Sequence, residues 1–299
     1  MGYRNLMIES IASLTIKNEQ LLITTNKTHS VPIEDINSVL IENRQTTISM
    51  GTLAKLSQNG VTVYICDDKH TPCGIMVPFA QHSRNTGVIK LQESLTVPTK
   101  KQLWQQIVKA KIANQAKCLE FLDKPNNALH LEALAKTVLS GDTTNVEATA
   151  AYYYFKHLFA TEFRRSNEDD SRNGFLNYGY AILRGHIARL IASYGFLPMK
   201  GLHHKSELNA YNLADDFLEP FRPVVDLYTA RLANYSELTP RDKRGLYNLL
   251  NVDMLSGKQV HSVSYAAERL MQSFTRCCQK TSKELLLPSL VDLKQHTYE

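Results

Sequence analysis

Histidine and carboxylate side chains concentrate in one stretch of this 299-residue chain, GLHHKSELNAYNLADDFLEPFRPVVD, residues 201–226. The side chains that can bind a proton or a metal there are His203, His204, Asp215, Asp216 and Glu219. On a helix, Glu219 follows Asp215 by four residues and Asp216 by three, so either pair of carboxylates can lie on one side. Two carboxylates on one side are a candidate metal site.

Carboxylates that share a helix face repel each other unless a cation or a proton lies between them. Mg²⁺ and Mn²⁺ prefer oxygen ligands, accept an imidazole and keep positions open for water or phosphate. A solvated acidic face is the alternative. Burial makes uncompensated carboxylates costly, and apolar neighbours indicate partial burial here, namely Leu213, Phe217, Leu218 and Phe221. The stretch therefore favours a divalent metal, and Pro220 predicts that the helix kinks or ends at Glu219.

Other catalytic motifs are absent from the sequence. It contains no Gly-rich phosphate loop, HExxH, GxSxG or zinc-type spacing of Cys and His. The formal net charge of +5 is unevenly placed, with 8 basic and 3 acidic residues in 81–130 but 10 basic and 12 acidic residues in 131–228. This distribution suits an acidic pocket within a surface that attracts phosphates, although chance variation among solvated faces explains the charge equally well.

The cysteines and the lack of long apolar runs indicate a soluble cytoplasmic protein with no membrane association. The five cysteines form no CxxC, and the adjacent Cys277 and Cys278 are a poor disulfide pair, so reduced thiols are expected. The first residues lack a signal-peptide pattern, and no run approaches 18 apolar residues.

The pattern of apolar residues predicts an α+β fold with two domains. Alternating or β-branched runs predict strands in a small β-rich N-terminal domain over residues 1–82, interrupted by one helix near Ser49–Ser57. Residues 83–99 show no sustained period and are expected to be a linker. From Lys100 the period changes to about 3.6, which predicts a larger all-helical C-terminal domain, the catalytic one, over residues 100–299. With 43% hydrophobic and 21% charged residues, the chain is not disordered.

Three segments resemble one known family. The stretch 201–226, FLNYGYAILRGHIAR at 175–189 and KQLWQQIVKAKIANQ at 101–115 are similar to the CRISPR-associated spacer-acquisition integrases, in the form found beside type II effector systems. The motifs occur in the expected order, and the resemblance covers nearly the full chain. It implies a β-rich N-terminal domain that forms a homodimer and a helical catalytic domain.

The resemblance also implies one metal site per subunit, with Mg²⁺ or Mn²⁺ held by Glu147, His204 and Glu219. Many relatives carry Asp where this chain has Glu219, which keeps an oxygen donor on an arm one methylene longer. His203 competes with His204 for the ligand role. No metal ligand is expected in residues 1–80.

The function that the resemblance implies is the endonuclease and integrase reaction of CRISPR adaptation. The 3′-hydroxyl of a short DNA fragment, the prespacer, attacks a phosphodiester at the edge of the CRISPR repeat in a transesterification. A small ferredoxin-fold partner is expected to join the homodimers in a heterohexamer. Two rival functions remain open: a repair-type nuclease on branched or single-stranded DNA, and a non-catalytic DNA-binding scaffold.

Several further residues are weaker candidates for DNA contacts. Asn177 and Tyr178 can contact DNA or simply belong to a packed helix face. Arg222 can meet a phosphate or pair with an acid. The lysines of the first helical segment, Lys100, Lys101, Lys109 and Lys111, are expected on a solvated face, where they can also serve as non-specific phosphate contacts.

Overall fold

The computed structural model of the chain describes residues 2, 4–68, 70–78, 85–159, 162–167, 169–232, 235 and 237–297. Its N-terminal part has one helix, α1 (Met50–Gln58), among eight strands: β1 (Arg4–Ile8), β2 (Ser13–Lys17), β3 (Gln20–Thr24), β4 (Thr28–Pro32), β5 (Ile36–Ile41), β6 (Thr47–Ile48), β7 (Thr62–Cys66) and β8 (Pro72–Met76). Ser49 caps α1 by accepting a hydrogen bond from the Thr52 amide. The β-rich N-terminal region and its single helix are as the sequence predicts.

These strands form two four-stranded sheets, in the orders β1-β5-β7-β8 and β4-β3-β2-β6. In the first sheet, β1, β5 and β7 run parallel and β8 antiparallel. Because successive side chains point to opposite faces, Val39 and Val63 pack in the apolar cluster shared with the second sheet. Leu40 and Tyr64, one residue on, pack in the core of the helical part. The first sheet therefore joins the two halves of the chain.

The segment expected to be a linker contains a helix, so the prediction of a linker over 83–99 is wrong for most of its length. Helix α2 (Asn85–Glu93) is followed at once by α3 (Val97–Glu120), while residues 83 and 84 lie outside the described residues. The side chain of Gln92 fixes α2 to the body: its Nε2 donates to the carbonyls of Leu197 and Lys200, at 3.1 and 3.0 Å. Contacts with the rest of the fold thus stabilise α2, although its sequence shows little helical periodicity of apolar residues.

The C-terminal part is dominated by helices: α4 (Pro125–Thr137), α5 (Val146–Phe159), α6 (Ser171–Ser193), α7 (Asn212–Leu218), α8 (Arg222–Ala230), α9 (Pro240–Asn248) and α10 (Val263–Cys278). It also contains β9 (Asp253–Ser256), β10 (Gln259–Ser262) and β11 (Pro288–Ser289), which form a small sheet in the order β10-β9-β11. The prediction of an all-helical domain is therefore wrong. A two-residue turn through Gly257, with φ of +67°, makes a hairpin too short to interrupt the helical period visibly.

Helix α6 runs through the centre of the helical core. Close contacts surround it on several sides: a Cβ added at Gly179 would lie 2.5 Å from the Val225 side chain, and one at Gly185 would lie 2.3 Å from the Tyr64 ring. Tyr64 also donates a hydrogen bond to the carbonyl of Ile182 at 3.1 Å. The tight packing fixes α8 and the N-terminal sheet against α6. Across the described ranges, no helix is long and apolar enough to cross a membrane.

Candidate active site

The acidic stretch forms two short helices joined by a tight turn. Helix α7 ends at Leu218, residues Glu219–Phe221 form a single 3-10 turn, and α8 begins at Arg222. Pro220 occupies this turn, which confirms the predicted interruption at Glu219. The turn packs against α3, where the Asn114 side chain donates to the Pro220 carbonyl at 2.7 Å. Glu219 is held in the interior with only 4% of its surface exposed.

Glu147 enters the same region from the first turn of α5. The carboxylate of Asp142 accepts hydrogen bonds from the backbone amides of Val146 and Glu147, both at 2.9 Å. These bonds satisfy amides at the start of α5 that have no partner within the helix. They also set the direction in which α5 leaves the preceding turn. Glu147 thereby faces α3 and the Glu219 turn.

Lys111 of α3 lies between these two acids. Its Nζ is 2.6 Å from Glu147 Oε1 and 2.5 Å from Glu219 Oε2. The contact with Glu219 is an ion pair that lacks hydrogen-bond geometry. Lys111 is 8% exposed, so its placement on a solvated face is wrong. Its position, four residues after the buried Ile107, continues the apolar stripe of α3, and that spacing is the signal that predicts its burial.

Arg222 completes the charge arrangement, because its Nε donates to Glu219 Oε1 at 2.8 Å. Of the two alternatives for Arg222, pairing with an acid is the one seen. Burial alone would raise the pKa of Glu219, but Arg222 and Lys111 outweigh it and lower that pKa to about 2. Burial would lower the pKa of Lys111, but Glu219 and Glu147 outweigh it and raise that pKa. Glu219 and Lys111 are therefore both charged at neutral pH.

His204 is oriented by Asp216, which is completely buried. The His204 Nδ1 lies 2.7 Å from Asp216 Oδ1, and the same carboxylate accepts hydrogen bonds from the amides of Leu202 and His203. The hydrogen bond to Asp216 raises the pKa of His204. A carboxylate on one ring nitrogen is the usual support of a metal-binding histidine, whose other nitrogen faces the metal. This pattern favours His204 Nε2 as a ligand atom.

His203 has a different environment. Its ring stacks on Trp104 of α3, with centroids 4.3 Å apart and planes 3° apart, while His204 meets the same indole edge-on. Asp215 is also separate from the acids, because its carboxylate accepts a hydrogen bond from the Asn209 side chain. The pairing of Glu219 with Asp215 or Asp216 on one helix side is therefore wrong. The carboxylate that approaches Glu219 across Lys111 is Glu147, from another helix.

The donor types suit Mg²⁺ or Mn²⁺, since two carboxylates converge on one cationic group and a supported imidazole lies on the neighbouring loop. Among the described residues, no three His, Cys, Asp or Glu side chains are grouped as ligands around one point. Lys111 occupies the space between Glu147 and Glu219. The geometry thus provides the chemical groups of a metal site with an internal cation between its acids.

The structure separates the weaker candidates for DNA contacts. Tyr178 has no exposed surface and packs in the core, so of its two alternatives the packed helix face is correct and the DNA contact is wrong. Asn177 is exposed, and its side-chain oxygen accepts a hydrogen bond from Arg165 at 2.8 Å. Lys101 is exposed and Lys100 partly exposed in the first turn of α3. These two lysines remain available for phosphate contacts.

Comparisons with known proteins relate the chain to one family. The sequence profile of the family described as "CRISPR associated protein Cas1" matches residues 6–253. The CRISPR-associated endonuclease Cas1 of Neisseria meningitidis serogroup C is 42% identical over the full length of both chains. A CRISPR-associated endonuclease Cas1 of Saccharolobus solfataricus is 25% identical, over 77% of this chain and 76% of that protein.

Solved structures share the fold. A casposase bound to its integration product superposes with a TM-score of 0.77 and 20% identity, over 95% of this chain and 92% of that chain. A Cas1 protein from Thermotoga maritima superposes with a TM-score of 0.70 and 15% identity, over 92% of this chain and 97% of that one. The full-length identity and the family profile together show that the chain belongs to the Cas1 family of CRISPR-associated proteins.

Proposed function

We propose that the chain joins DNA strands in CRISPR adaptation as a metal-dependent enzyme, with Glu147, His204 and Glu219 as ligands of Mg²⁺ or Mn²⁺. The observation that carries this proposal is the convergence of Glu147 and Glu219, from two separate helices, on the single cationic group of Lys111. An acidic surface without a binding role has no need of such convergence. Membership of the Cas1 family and the name of the Neisseria relative support the reaction class.

The charges explain why metal and DNA would bind together. Without metal, the carboxylates of Glu147 and Glu219 are balanced by Lys111 and Arg222. A divalent cation adds two positive charges, which the phosphates of DNA can neutralise. A metal that reaches both acids must also compete with Lys111, so its affinity is expected to rise when DNA is present.

The residues have distinct parts in the proposed reaction. The bound metal would polarise the phosphate and stabilise charge on the attacking or leaving oxygen. Arg222 holds the Glu219 carboxylate in place, and Asp216 fixes the tautomer and direction of the His204 ring. Lys111 remains a positive group beside the acids and can compensate charge on a bound phosphate.

The assembly and location belong to the same proposal. We expect a homodimer formed through the N-terminal domain and a heterohexamer with a small ferredoxin-fold partner. The chain has the same fold as a chain described as part of a partial Cas6-RT-Cas1–Cas2 complex, with a TM-score of 0.65. This likeness supports the expectation that the chain works with a partner protein. The five free thiols suit the reducing cytoplasm.

Hydrolysis is the second candidate activity, because the relatives are named endonucleases. Water would then replace the 3′-hydroxyl as nucleophile at the same site. A labelled duplex with a free 3′-hydroxyl, incubated with a repeat-containing plasmid, separates the possibilities. We expect joined product with Mn²⁺ or Mg²⁺, and binding with little product with Ca²⁺, whose looser coordination would misplace the phosphate. Shortened fragments alone would indicate a nuclease, and binding without any product a scaffold.

A further inference from the structure

A second, positively charged cavity lies beside the candidate active site. It has a volume of about 280 Å³, and its polar lining comes from Arg165, Asn177, Tyr180, Arg184, Asp215 and Arg222. Three guanidinium groups and one carboxylate thus share a space of this size. None of the reaction roles described above uses Arg165 or Arg184.

The cavity is built by two helix faces at helical spacing. From α6, Asn177, Tyr180 and Arg184 follow one another at intervals of three and four residues. From the opposite side, Asp215, Leu218 and Arg222 follow at the same intervals through α7, the turn and α8. The other side of α7 carries Asp216 towards His204. One short helix therefore contributes to both the acidic site and the arginine cavity.

Each of the three arginines lies over an aromatic ring. Arg165 and Arg222 lie over the Tyr180 ring, with Cζ 5.4 and 4.5 Å from its centroid. Arg184 lies over the Tyr211 ring at 5.3 Å. Such contacts orient a guanidinium without neutralising its charge. The arrangement therefore keeps a high density of positive charge in a small space.

Arg184 in particular has no anionic partner within the described part of the chain. Its buried Nε has no hydrogen-bond acceptor among the described residues. Among the residues that the structure describes, Arg165 bonds to neutral side-chain oxygens, those of Asn173 and Asn177. Asp215 is engaged by Asn209, and Arg222 by Glu219. A buried donor without an acceptor is costly, and a phosphate oxygen would supply the missing acceptor in a geometry that guanidinium groups favour.

Resting on the proposed function, we infer that this cavity binds a phosphodiester of the DNA strand that reacts at Glu147, His204 and Glu219. Arg222 connects the two sites, because its Nε bonds to Glu219 while its side chain lines the cavity. A phosphate held by Arg165 and Arg184 would fix the strand relative to the acids. Arg165, Asn177 and Arg184 are therefore positioning residues for the strand.

The test measures DNA binding in the absence of metal, so that the acidic site does not contribute. A fluorescent single-stranded oligonucleotide is titrated in EDTA with the wild-type chain, Arg165→Gln, Arg184→Gln and the exposed control Arg241→Gln. We expect the two cavity variants to bind about tenfold more weakly, the usual order for one lost charge-assisted hydrogen bond. Their salt dependence should be smaller by about 0.7 per lost phosphate contact. The control, which changes the net charge equally, should bind as the wild type does.

Asn177→Asp provides a second variant in case the arginine variants fold poorly. It places a negative charge at an exposed rim position and should weaken binding at least as much. Unchanged binding by Asn177→Asp and by folded Arg184→Gln would overturn the inference. Competition by an abasic dinucleotide but not by equal inorganic phosphate would identify the phosphodiester of a strand as ligand. The reverse order would assign the cavity to a free anion and reject the DNA assignment.

Strand joining with Mn²⁺ is measured in parallel, so that failure of the inference can be separated from failure of the proposed function. Normal joining by the wild type together with unchanged DNA binding by the cavity variants would reject the cavity alone. No joining by the wild type, with weakened binding by the variants, would reject the integrase proposal and keep the phosphate cavity. Mn²⁺ affinity without DNA should be the same in Arg184→Gln and in the wild type.

Discussion

At the scale of single residues, Lys111 sets the electrostatics of the site. It is the buried cation that Glu147 and Glu219 share. Replacing Lys111 by Met leaves the two carboxylates facing each other, so we expect the metal-free protein to lose about 3 kcal/mol of unfolding free energy. Mn²⁺ should then stabilise the variant more than the wild type, because the metal no longer competes with an ammonium group.

Thermal and urea unfolding, with and without Mn²⁺, measure this effect. Lys109→Met on the same helix is the matched control, because Lys109 is only half-buried and forms no ion pair within the described ranges. Equal stability of Lys111→Met and Lys109→Met without metal would contradict the account of Lys111.

Asp226 makes stability depend on pH. Burial raises its pKa from 3.8 to about 6, although hydrogen bonds from Tyr180 and Tyr154 act in the opposite direction. The pKa of Asp226 is higher in the folded protein than in the unfolded chain. Protonated Asp226 therefore contributes to the free energy of unfolding below about pH 4, and this contribution is lost as the pH rises through about 6. The variant Asp226→Asn does not lose this free energy as the pH rises, because an amide side chain does not ionise. We expect its stability relative to the wild type to increase by about 2 kcal/mol between pH 4.5 and 7.5. Urea unfolding across this range checks the effect, and parallel pH profiles would contradict it.

The sequence predicts residue types better than residue partners. Glu147, Glu219 and Arg222 do lie close together. Lys111, which joins the two acids, is buried and not on the solvated face that the sequence predicts. This error has a physical origin. Helical periodicity puts Lys111 on the same face as the buried Ile107, but a lysine at such a position can still reach solvent with its charged end. The packing of α3 against α5 and the Glu219 turn encloses that end.

At the scale of elements, the loop before α7 determines the position of His204. A Cβ at Gly201 would lie 2.4 Å from the His204 carbonyl oxygen and 2.8 Å from Asp216 Oδ2. Gly201→Ala must therefore shift this loop and disturb the bonds between Asp216 and the amides of Leu202 and His203. We expect strand joining to fall by at least about tenfold, a usual consequence of an ångström-scale displacement of a catalytic group.

The fold should tolerate Gly201→Ala, because Glu147, Lys111 and Glu219 lie on other elements. Gly174→Ala, whose added Cβ meets nothing within 4 Å, is the control on α6. Joining rates and melting temperatures of both variants show whether Gly201→Ala lowers activity without unfolding the protein. Normal joining by Gly201→Ala would show that the loop does not position a reacting group.

Elements with strong periodicity were predicted well and short ones were not. The N-terminal strands and helices α1, α3 and α6 match their apolar patterns within a few residues. Helix α2 and the hairpin of β9 and β10 were missed, because each is short and is stabilised by contacts remote in sequence. Gln92, for example, bonds to residues more than a hundred positions away.

At the scale of the whole molecule, the two halves share a core. Leu40, Tyr64 and Cys66 of the N-terminal sheet belong to the apolar cluster of the helices, and Lys243 of α9 pairs with the buried Glu42 at 2.8 Å. A chain that begins near residue 90 would expose this cluster and leave Lys243 unpaired. We expect it to melt at a clearly lower temperature and to lose dimerisation together with joining.

Circular dichroism and sedimentation of the full and shortened chains measure these changes. A shortened chain with the full melting temperature would contradict the shared core. A shortened chain that is folded and still dimeric would place the dimer interface in the helical part.

The central claim is that Glu147, His204 and Glu219 hold a divalent metal that drives DNA joining. The most direct measurement is the joining rate against Mn²⁺ concentration for the wild type, Glu147→Gln, His204→Ala and the neighbouring control His203→Ala. We expect saturable dependence on Mn²⁺, no joining in EDTA, loss of joining in Glu147→Gln and His204→Ala, and near-normal joining in His203→Ala. Full joining in EDTA, or normal joining by Glu147→Gln, would contradict the proposed metal site.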